Sequence, residues 1–404
     1  MLLSIALRNL LRQRTRSLLT LASIALGVAS IMLANGFIDD VLWQLREATI
    51  RSQLGHLQVF APGFLDEGRR EPLSHTVADA QGAVARLQTI PGVATVARRL
   101  GFSGLLSNGR SDLAVIVEGI EPAAEAQIGT ALTIASGKDL VTKDRNAITV
   151  GEGVAAALRL RVGDPVTLLA STKDGALNTL DARLSGVFRS PFKDYDARAI
   201  RISLADAQEV AGVDSVNTLV VLLQPDRSVD DALGAARDLL PSARYDVRPW
   251  TDLADFYQGV EALYRRQFLV LVMIVSVMVM LGVANSITMS LHERQGEFGT
   301  VRALGYRPDD VFAQIVTESV VLGSIAAAVG IALGVLLASG ISAIGIEMPP
   351  PPNSDIGYTA KIRLSLSNVL IAAATAFIAS VAGSIVPARR LARMPIVDAL
   401  RHAI

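Results

Sequence analysis

The sequence predicts a multi-pass α-helical membrane protein, with four transmembrane helices and a large extracytoplasmic mixed α/β domain of two lobes. Four runs contain no charged residue, and each exceeds the roughly 20 residues that a helix needs to cross a hydrocarbon core of about 30 Å. A polar, foldable segment, 39–266, separates the first run from the second. The 404-residue chain is 51% hydrophobic with a mean hydropathy of +0.42, which is typical of an integral membrane protein. The four runs are Ser17–Ile38, Gln267–Leu291, Ser319–Ile346 and Leu364–Ala388.

The N-terminal residues 1–16 are expected to form an amphipathic helix in the cytoplasmic membrane interface, before the first transmembrane helix at 17–38. Arg8, Arg12 and Arg16 recur at i, i+4 and i+8 on one face, and leucines line another face. A plain basic flank that only fixes the topology is the alternative. The apolar stretch is too long for a cleaved signal peptide, so we expect the helix to be retained.

The segment 39–266 has the short alternating runs of a mixed α and β domain. Ala147–Gly151, for example, is expected to be a strand that turns directly into a helix. We expect one lobe to be built from two separated segments, with a second lobe, rich in short strands, inserted between them. The first lobe would cover about 50–120 and 216–260, and the inserted lobe about 125–215.

The distribution of arginines predicts which side of the membrane each connection faces. Arginines cluster before the first run, between the second and third, and after the fourth. By the positive-inside rule both termini and the middle connection are cytoplasmic, and 39–266 lies outside the inner membrane of a bacterium. The remaining elements are expected as helices at 267–291, 311–346 and 364–388, a cytoplasmic coupling helix at 292–310, a Pro-rich outer loop at 347–363 and a cytoplasmic tail at 389–404.

Several classes of chemistry are disfavoured by the composition. The chain has no Cys, and its four His are scattered, so we expect no metal site. The formal net charge of zero argues against nucleic-acid binding. No phosphate-binding P-loop motif occurs, and Gly151-Glu152-Gly153 lacks the other features of a dinucleotide site. We therefore expect no catalytic residue and no cofactor bound by this chain.

The segment from His292 to Asp310 carries the most informative pattern. Glu293, Glu297 and Val301 recur at i, i+4 and i+8, and Phe298 and Arg302 follow on the neighbouring row. This predicts a short helix with a charged stripe and exposed apolar side chains. Gly305 is placed to end that helix, and Pro308 to begin the next one. Such a helix could act as a lever that a partner grips; an ordinary solvated loop is the alternative.

Glu318 is predicted to lie one or two turns inside the third transmembrane helix. An ionisable residue at that depth suggests function. We favour a structural role, with a hydrogen bond to a neighbour such as Gln314 one turn earlier, over a proton path.

Several short motifs occur together near the two ends of the chain and in the connection before the third span. They are Leu7-Arg8-Asn9-Leu10, Glu293-Arg294, Glu297, Gly299, Arg302–Gly305, Gln314, Glu318, Pro387-Ala388-Arg389-Arg390 and Met394-Pro395. With the order of the four spans, they resemble the FtsX-like and MacB-like permeases of ABC transporters, and the resemblance covers essentially the whole chain. Gly55-His56-Leu57-Gln58-Val59, Gly119-Ile120-Glu121-Pro122 and the proline-rich last outer loop look most like the lipoprotein-releasing (Lol-type) permeases.

The resemblance implies that a separate ABC ATPase subunit, with its own ATP and magnesium, docks on the coupling helix. It implies a second permease copy or a paralogue, surrounding membrane lipid, and a periplasmic carrier or adaptor. The implied function is to couple ATP hydrolysis to motion of the periplasmic domain, so that a lipoprotein or other amphiphile leaves the inner membrane. A tripartite efflux permease for small molecules or peptides, and a regulator of a cell-wall hydrolase, are the alternatives.

The resemblance also assigns roles to individual residues. Phe298 departs from the small aliphatic residue that is more frequent in the family at that position. The expected ATPase-coupling residues are Glu293, Arg294, Glu297, Phe298, Val301, Arg302 and Leu304. The expected interfacial and structural residues are Arg8, Arg12, Arg16, Gly305, Gln314, Glu318, Pro387, Arg389 and Arg390.

Overall fold

The computed structural model describes residues 14–68, 70–349 and 357–396. The predicted interfacial helix, with Arg8 and Arg12, lies outside this part of the chain, as does the side chain of Arg16. Within the described residues four helices are long and apolar enough to cross a membrane. The helices are α1 (Arg14–Thr49), α2 (Ala80–Gln88), α3 (Pro122–Ile128), α4 (Glu152–Leu158), α5 (Lys193–Asp196), α6 (Leu204–Ala211), α7 (Val229–Leu239), α8 (Trp250–Leu253), α9 (Asp255–Glu293), α10 (Gln295–Ala303), α11 (Pro308–Ile344) and α12 (Leu366–Ala392).

Two compact units make up the chain. Among the described residues, the helical unit comprises 14–43, Val260–Met348 and 359–396. The α/β unit comprises the described residues of Gln44–Gly259, with Pro349 and 357–358. The strands are β1 (Leu57–Phe60), β2 (Val93–Ser107), β3 (Asp112–Ile120), β4 (Thr133–Gly137), β5 (Ala147–Gly151), β6 (Pro165–Ser171), β7 (Leu177–Arg189), β8 (Ala199–Ser203), β9 (Thr218–Leu223), β10 (Asp246–Pro249), β11 (Ile346–Met348) and β12 (Tyr358–Ala360).

The long helices extend beyond the apolar runs. Helix α1 continues to Thr49, and α9 begins at Asp255, twelve residues before the predicted transmembrane segment. The i,i+4 ion pair of Glu261 and Arg265, 2.6 Å apart, supports the helix in that polar extension. The predicted coupling segment is also shorter than 292–310, since His292 and Glu293 complete α9 and Pro308 begins α11.

Small residues bring the four long helices together in the helical unit. A Cβ on Gly27 of α1 would lie 2.9 Å from Val279 of α9, and one on Gly330 of α11 would lie 2.7 Å from the carbonyl oxygen of Ala25 of α1. Gly383 of α12 approaches the backbone of α9 in the same way, and Gly323 of α11 approaches Ser380 of α12. Side chains larger than hydrogen at these glycines would push the backbones apart, which is the usual reason for small residues between membrane helices. Gly330 is the glycine that begins a G-x-x-x-G in the sequence.

Polar contacts connect α1 with the start of α12 within the helical unit. Asn368 donates a hydrogen bond to Asp39 over 2.9 Å and accepts one from Asn35. Asp40 accepts a hydrogen bond from the backbone of Lys361, and the guanidinium of Arg363 lies 3.6 Å from its carboxylate. These contacts pair polar groups that would be costly to leave unpaired at a membrane helix.

One ten-stranded sheet forms the framework of the α/β unit. Its order is β10-β1-β9-β2-β3-β8-β5-β7-β4, and β6 pairs with β2 and β7. A large hydrophobic core, with members from Leu57 to Val247, lies over this sheet and its helices. Strands β2 and β3, from the first predicted lobe, pair with β6 and β8, from the inserted one. The sheet is therefore continuous across the predicted boundary, and the residue bounds of the two lobes stay predictions.

Candidate functional site

The connection between α9 and α11, residues 294–307, is a folded element with a defined start and end. Arg294 leaves the helical conformation, with φ −110° and ψ 14°, and α10 begins at the next residue. Gly305 adopts a φ of +102°, which a residue with a side chain rarely takes, and so allows the chain to turn after α10. Asp310 accepts a hydrogen bond from the backbone of Arg307 and caps the N-terminus of α11. The predicted roles of Gly305 and Pro308 at these turns are confirmed.

Phe298 fastens this connection to the ends of the long helices. Its side chain is 4% exposed and belongs to an apolar cluster with residues of α9, α11 and α12. The expectation of an exposed aromatic side chain at this position is therefore wrong. The physical reason is that α10 turns its Phe298 face inward, into an apolar cluster to which three long helices contribute. The other buried members of the cluster are Leu291, Val311, Ile315, Ala388 and Leu391.

Arg294 adds an ionic attachment beside the ring of Phe298. Its guanidinium lies 3.1 Å from Glu297, 3.2 Å from Glu318 and 4.9 Å from the centroid of the Phe298 ring. Glu318 therefore has an ionic partner in Arg294, from the connection itself, and its predicted hydrogen bond to Gln314 stays a prediction. The pair explains an acidic side chain at that depth of α11, because both partners are mostly buried and oppositely charged.

Arg302 attaches the far end of α10 to the C-terminal part of the chain. Its guanidinium donates a hydrogen bond to the carbonyl oxygen of Met394, just after α12. Val301 is half-buried beside it. In α12, Pro387 is buried, whereas Arg389 and Arg390 are exposed. Sequence reasoning had no signal for the contact between Arg302 and Met394, because more than 90 residues separate the two.

The opposite side of the connection is open. Glu293 and Glu297 are exposed, and Leu304 and Tyr306 leave 80% and 54% of their surface uncovered. The two carboxylates lie at the end of α9 and in the first turn of α10, and the two exposed apolar side chains follow α10. We call this surface, made of Glu293, Glu297, Leu304 and Tyr306, the connection surface.

Two family models together match almost the whole described chain. The MacB-like periplasmic core domain matches residues 17–239, and the FtsX-like permease C-terminal domain matches residues 268–396. The first model therefore covers nearly all of α1 and most of the α/β unit. The second covers most of α9, the connection, α10, α11 and α12.

Curated relatives are similar to this chain at low identity. The lipoprotein-releasing system transmembrane protein LolE of Haemophilus influenzae is 23% identical over 392 residues, which are 92% of this chain and 90% of that protein. The macrolide export ATP-binding/permease protein MacB of Rhodospirillum rubrum is 25% identical over 98% of this chain, which spans 60% of that relative's length. An uncharacterised ABC transporter permease of Methanocaldococcus jannaschii is 24% identical over 86% of each chain.

Solved structures of isolated domains are also similar to part of the chain. The periplasmic region of MacB from Actinobacillus actinomycetemcomitans has 16% identity and a TM-score of 0.39, covering 51% of this chain and 94% of that one. The extracellular domain of the Gram-positive transporter YknZ has 14% identity and a TM-score of 0.37, covering 48% of this chain and all of that one. The MacB-like model alone matches more than half of this chain. The chain therefore belongs to the ABC transporter permeases that join a MacB-like periplasmic core domain to an FtsX-like C-terminal domain.

Proposed function

We propose that this permease couples ATP hydrolysis by a separate ATPase subunit to motion of the α/β unit outside the inner membrane, and thereby moves a lipoprotein or other amphiphile out of that membrane. The observation that carries the proposal is the connection of residues 294–307. It is held to three helices by Phe298, Arg294 and Arg302, and yet it presents exposed apolar side chains.

The connection surface has the composition of a docking site. An isolated exposed Leu is ordinary, but Leu304 and Tyr306 are both exposed in the turn directly after α10, a helix that buries Gln295, Phe298 and Gly299. Exposed Glu293 and Glu297 would give a partner charged groups with which to fix its orientation. The arginines around this end support its placement in the cytoplasm, where an ATPase with its bound ATP and magnesium would be found.

The attachment of the connection supports transmission of force. A push on α10 would reach α9, α11 and α12 through one apolar cluster, because Phe298 shares it with residues of all three helices. Two of the long helices, α1 and α9, continue without a break into residues of the α/β unit. Nucleotide would drive motion only if the two states of the complex bind it with different affinity.

The choice of cargo rests on similarity. LolE, named for lipoprotein release, aligns with most of this chain and most of its own length, which favours a lipoprotein. Export of a small molecule through a periplasmic adaptor is the second candidate, since the macrolide exporter MacB aligns with 98% of the chain. For either cargo we propose a second permease copy or a paralogue in the same membrane.

The first experiment tests docking. The affinity-tagged full chain is purified from its source cells and the copurifying ABC ATPase is quantified by mass spectrometry. Leu304→Glu is expected to lower the copurified ATPase at least about tenfold. Burying an unpaired carboxylate in the interface costs about 1.4 kcal/mol or more, and 1.4 kcal/mol corresponds to a tenfold weaker affinity. The matched control is Leu177→Glu, which changes an equally exposed leucine in the α/β unit and should leave the yield unchanged. Equal yields from Leu304→Glu and wild type would refute the assignment of the connection surface.

The second experiment separates the cargo classes. The purified complex in proteoliposomes is assayed for ATP hydrolysis with a triacylated lipoprotein, with a macrolide, or with neither. Stimulation by the lipoprotein alone supports extraction, and stimulation by the macrolide alone supports export. If neither cargo stimulates ATP hydrolysis and the complex instead activates a cell-wall hydrolase when nucleotide is present, both transport functions are wrong and the chain is a regulator.

A further inference from the structure

We propose that Trp250 and the ion pair of Arg99 with Glu125 form a coupling anchor, which makes the two helices leading to the membrane move the sheet of the α/β unit as one body. The inference rests on the proposed function, since an anchor of this kind matters only if those helices carry motion. All residues of the coupling anchor lie within the α/β unit.

Trp250 holds the two helices to each other. It follows β10, is 5% exposed and forms the first residue of α8. The guanidinium of Arg46, on α1, lies 5.8 Å from the centroid of its indole ring, and the ring of Tyr257, on α9, packs edge-on with centroids 4.8 Å apart. One indole therefore contacts both helices through interactions that depend on ring orientation.

An apolar cluster presses both helix ends onto the sheet. Ile50, fully buried, lies in the single π-helical turn Ile50–Leu54 that follows α1, and Ala254 immediately precedes α9. Both pack with Trp250 against residues of the central strands β2 and β9 and of helix α3. Neither helix end can shift without disturbing the strands below it, because this core is close-packed. The sheet and α3 members of the cluster are Ala97, Val220, Leu222 and Ile128.

The ion pair fixes the position of the first helix end. Arg99, on β2, binds Glu125 of α3 with two contacts, Nε to Oε1 at 2.5 Å and Nη2 to Oε2 at 2.9 Å. Its remaining nitrogen, Nη1, donates a hydrogen bond to the carbonyl oxygen of Gln53, in the last turn after α1. The backbone N–H of Ala131, beyond α3, donates to the carbonyl oxygen of Arg51 in the same turn over 3.1 Å. The helix end is thus attached to a strand and to the segment that follows α3.

This ion pair is buried, which argues for a positioning role. The side chains of Arg99 and Glu125 are 8% and 4% exposed, and Arg201 lies 3.9 Å from the same carboxylate. Burial opposes ionisation, but the two guanidinium groups outweigh it, so the pKa of Glu125 stays below its ordinary value. A buried ion pair contributes less to stability than well-packed apolar residues would, whereas its two-pronged geometry fixes orientation. Here it fixes the carbonyl group of Gln53, in the π-helical turn that follows α1.

The neighbouring pair of Arg98 and Glu121 offers a matched control. It lies one residue along β2 and is also multidentate, with the closest contact at 2.5 Å. Its side chains are about 30% exposed, and none of its described contacts reaches the helix ends. Arg98→Lys and Arg99→Lys therefore make the same chemical change at neighbouring positions, one outside the coupling anchor and one inside it.

The experiment measures nucleotide-dependent motion without requiring a cargo. The chain has no Cys, so Asp174→Cys in the α/β unit and Arg393→Cys after α12 can carry two spin labels in the full complex. The distance between the labels is measured by pulsed electron resonance without nucleotide and with ATP plus vanadate. ATP hydrolysis and copurified ATPase are recorded for every variant.

We expect Arg99→Lys and Trp250→Ala to lose at least half of the nucleotide-dependent change in distance while ATP hydrolysis continues. Arg98→Lys should retain the whole change, and Trp250→Phe, which keeps a ring against Tyr257, should restore part of it. Full-sized changes in both Arg99→Lys and Trp250→Ala, or an equal loss in Arg98→Lys, would overturn the coupling anchor. A different result would refute the proposed function: a distance between the two labels that nucleotide does not alter even in the wild type.

Discussion

His56 should make the α/β unit less stable as the pH falls from 6.5 towards 4. The residue lies directly before β1, is 7% exposed, and accepts a hydrogen bond on Nδ1 from the backbone N–H of Leu223 over 3.1 Å. Burial lowers its pKa to about 4; Glu47 opposes this shift, and Arg46 and Arg51 add to it. Protonation would break the hydrogen bond from Leu223 and place a cation inside the sheet.

The sign and size follow from the two protonation equilibria. Above pH 6.5 the imidazole is neutral in both folded and unfolded chains, so its contribution is complete. Between pH 6.5 and 4 only the unfolded chain takes up the proton, and the folded state loses stability. A shift from 6.5 to about 4 corresponds to a full loss of about 3 kcal/mol, of which about 2 kcal/mol is lost by pH 5.

Hydrogen exchange of the β9 amides, corrected for the intrinsic pH dependence of exchange, measures this loss in the full-length protein. Protection in wild type should fall about 30-fold between pH 7 and pH 5, the equivalent of about 2 kcal/mol. His56→Gln is the control, because its carboxamide oxygen can accept the hydrogen bond from Leu223 but does not titrate in this range. If wild type and His56→Gln lose the same protection between the two pH values, the histidine is not responsible and the reasoning is refuted.

Three further substitutions test the helical unit and the sheet. Glu297→Lys places a second cation beside Arg294, so ATP hydrolysis and ATPase pull-down should both fall while membrane insertion is unchanged; normal values of both would remove this residue from coupling. Gly330→Leu should lower the thermal midpoint in detergent, because its Cβ would lie 2.7 Å from the backbone of α1 and overpacking costs about 1–3 kcal/mol, whereas Gly340→Leu has open space and should not. Gly234→Ala, in α7 with no atom near its Cβ, should stabilise the α/β unit by about 0.4–1 kcal/mol, and a lower unfolding midpoint would contradict this.

Local sequence signals predicted the membrane helices and the turns between them. The four apolar runs gave the four spans, since length and absence of charge are sufficient for that inference. Gly305 and Pro308 predicted the end of α10 and the start of α11, because each has a strong backbone preference of its own. Gly330 predicted a close helix contact for the same kind of local reason.

Contacts between distant residues could not be predicted in this way. The periodicity of 292–310 gave a helix, but the inward orientation of Phe298 depends on Ala388 and Leu391, about 90 residues later. The ion pair of Glu318 with Arg294, which lies 24 residues earlier, had no local signal either. Arg46 lies over the ring of Trp250, about 200 residues later, and nothing in either sequence neighbourhood indicates the other.

Gly151 and Gly153 show how a dismissed motif can still have a physical explanation. In the sequence they resembled part of a dinucleotide fingerprint without its other features. In the structure a Cβ on Gly151 would lie 2.2 Å from the carbonyl oxygen of Asp196, and one on Gly153 would lie 2.7 Å from the Cα of Ala197. The two glycines allow the start of α4 to pack closely against α5, and this packing in the α/β unit explains why glycine stands at both positions.

Helix α9 is the element best suited to carry force along its own axis. Its 39 residues give a rod of roughly 58 Å at 1.5 Å per residue. Ala254 and Tyr257 attach one end to the coupling anchor, and Leu291 attaches the other to the cluster around Phe298. Between these attachments only Val279 and Val283 are buried by the rest of the described chain. Under the proposed function, a helix attached at both ends would transmit a displacement along its axis, and its exposed apolar side chains would remain available to lipid.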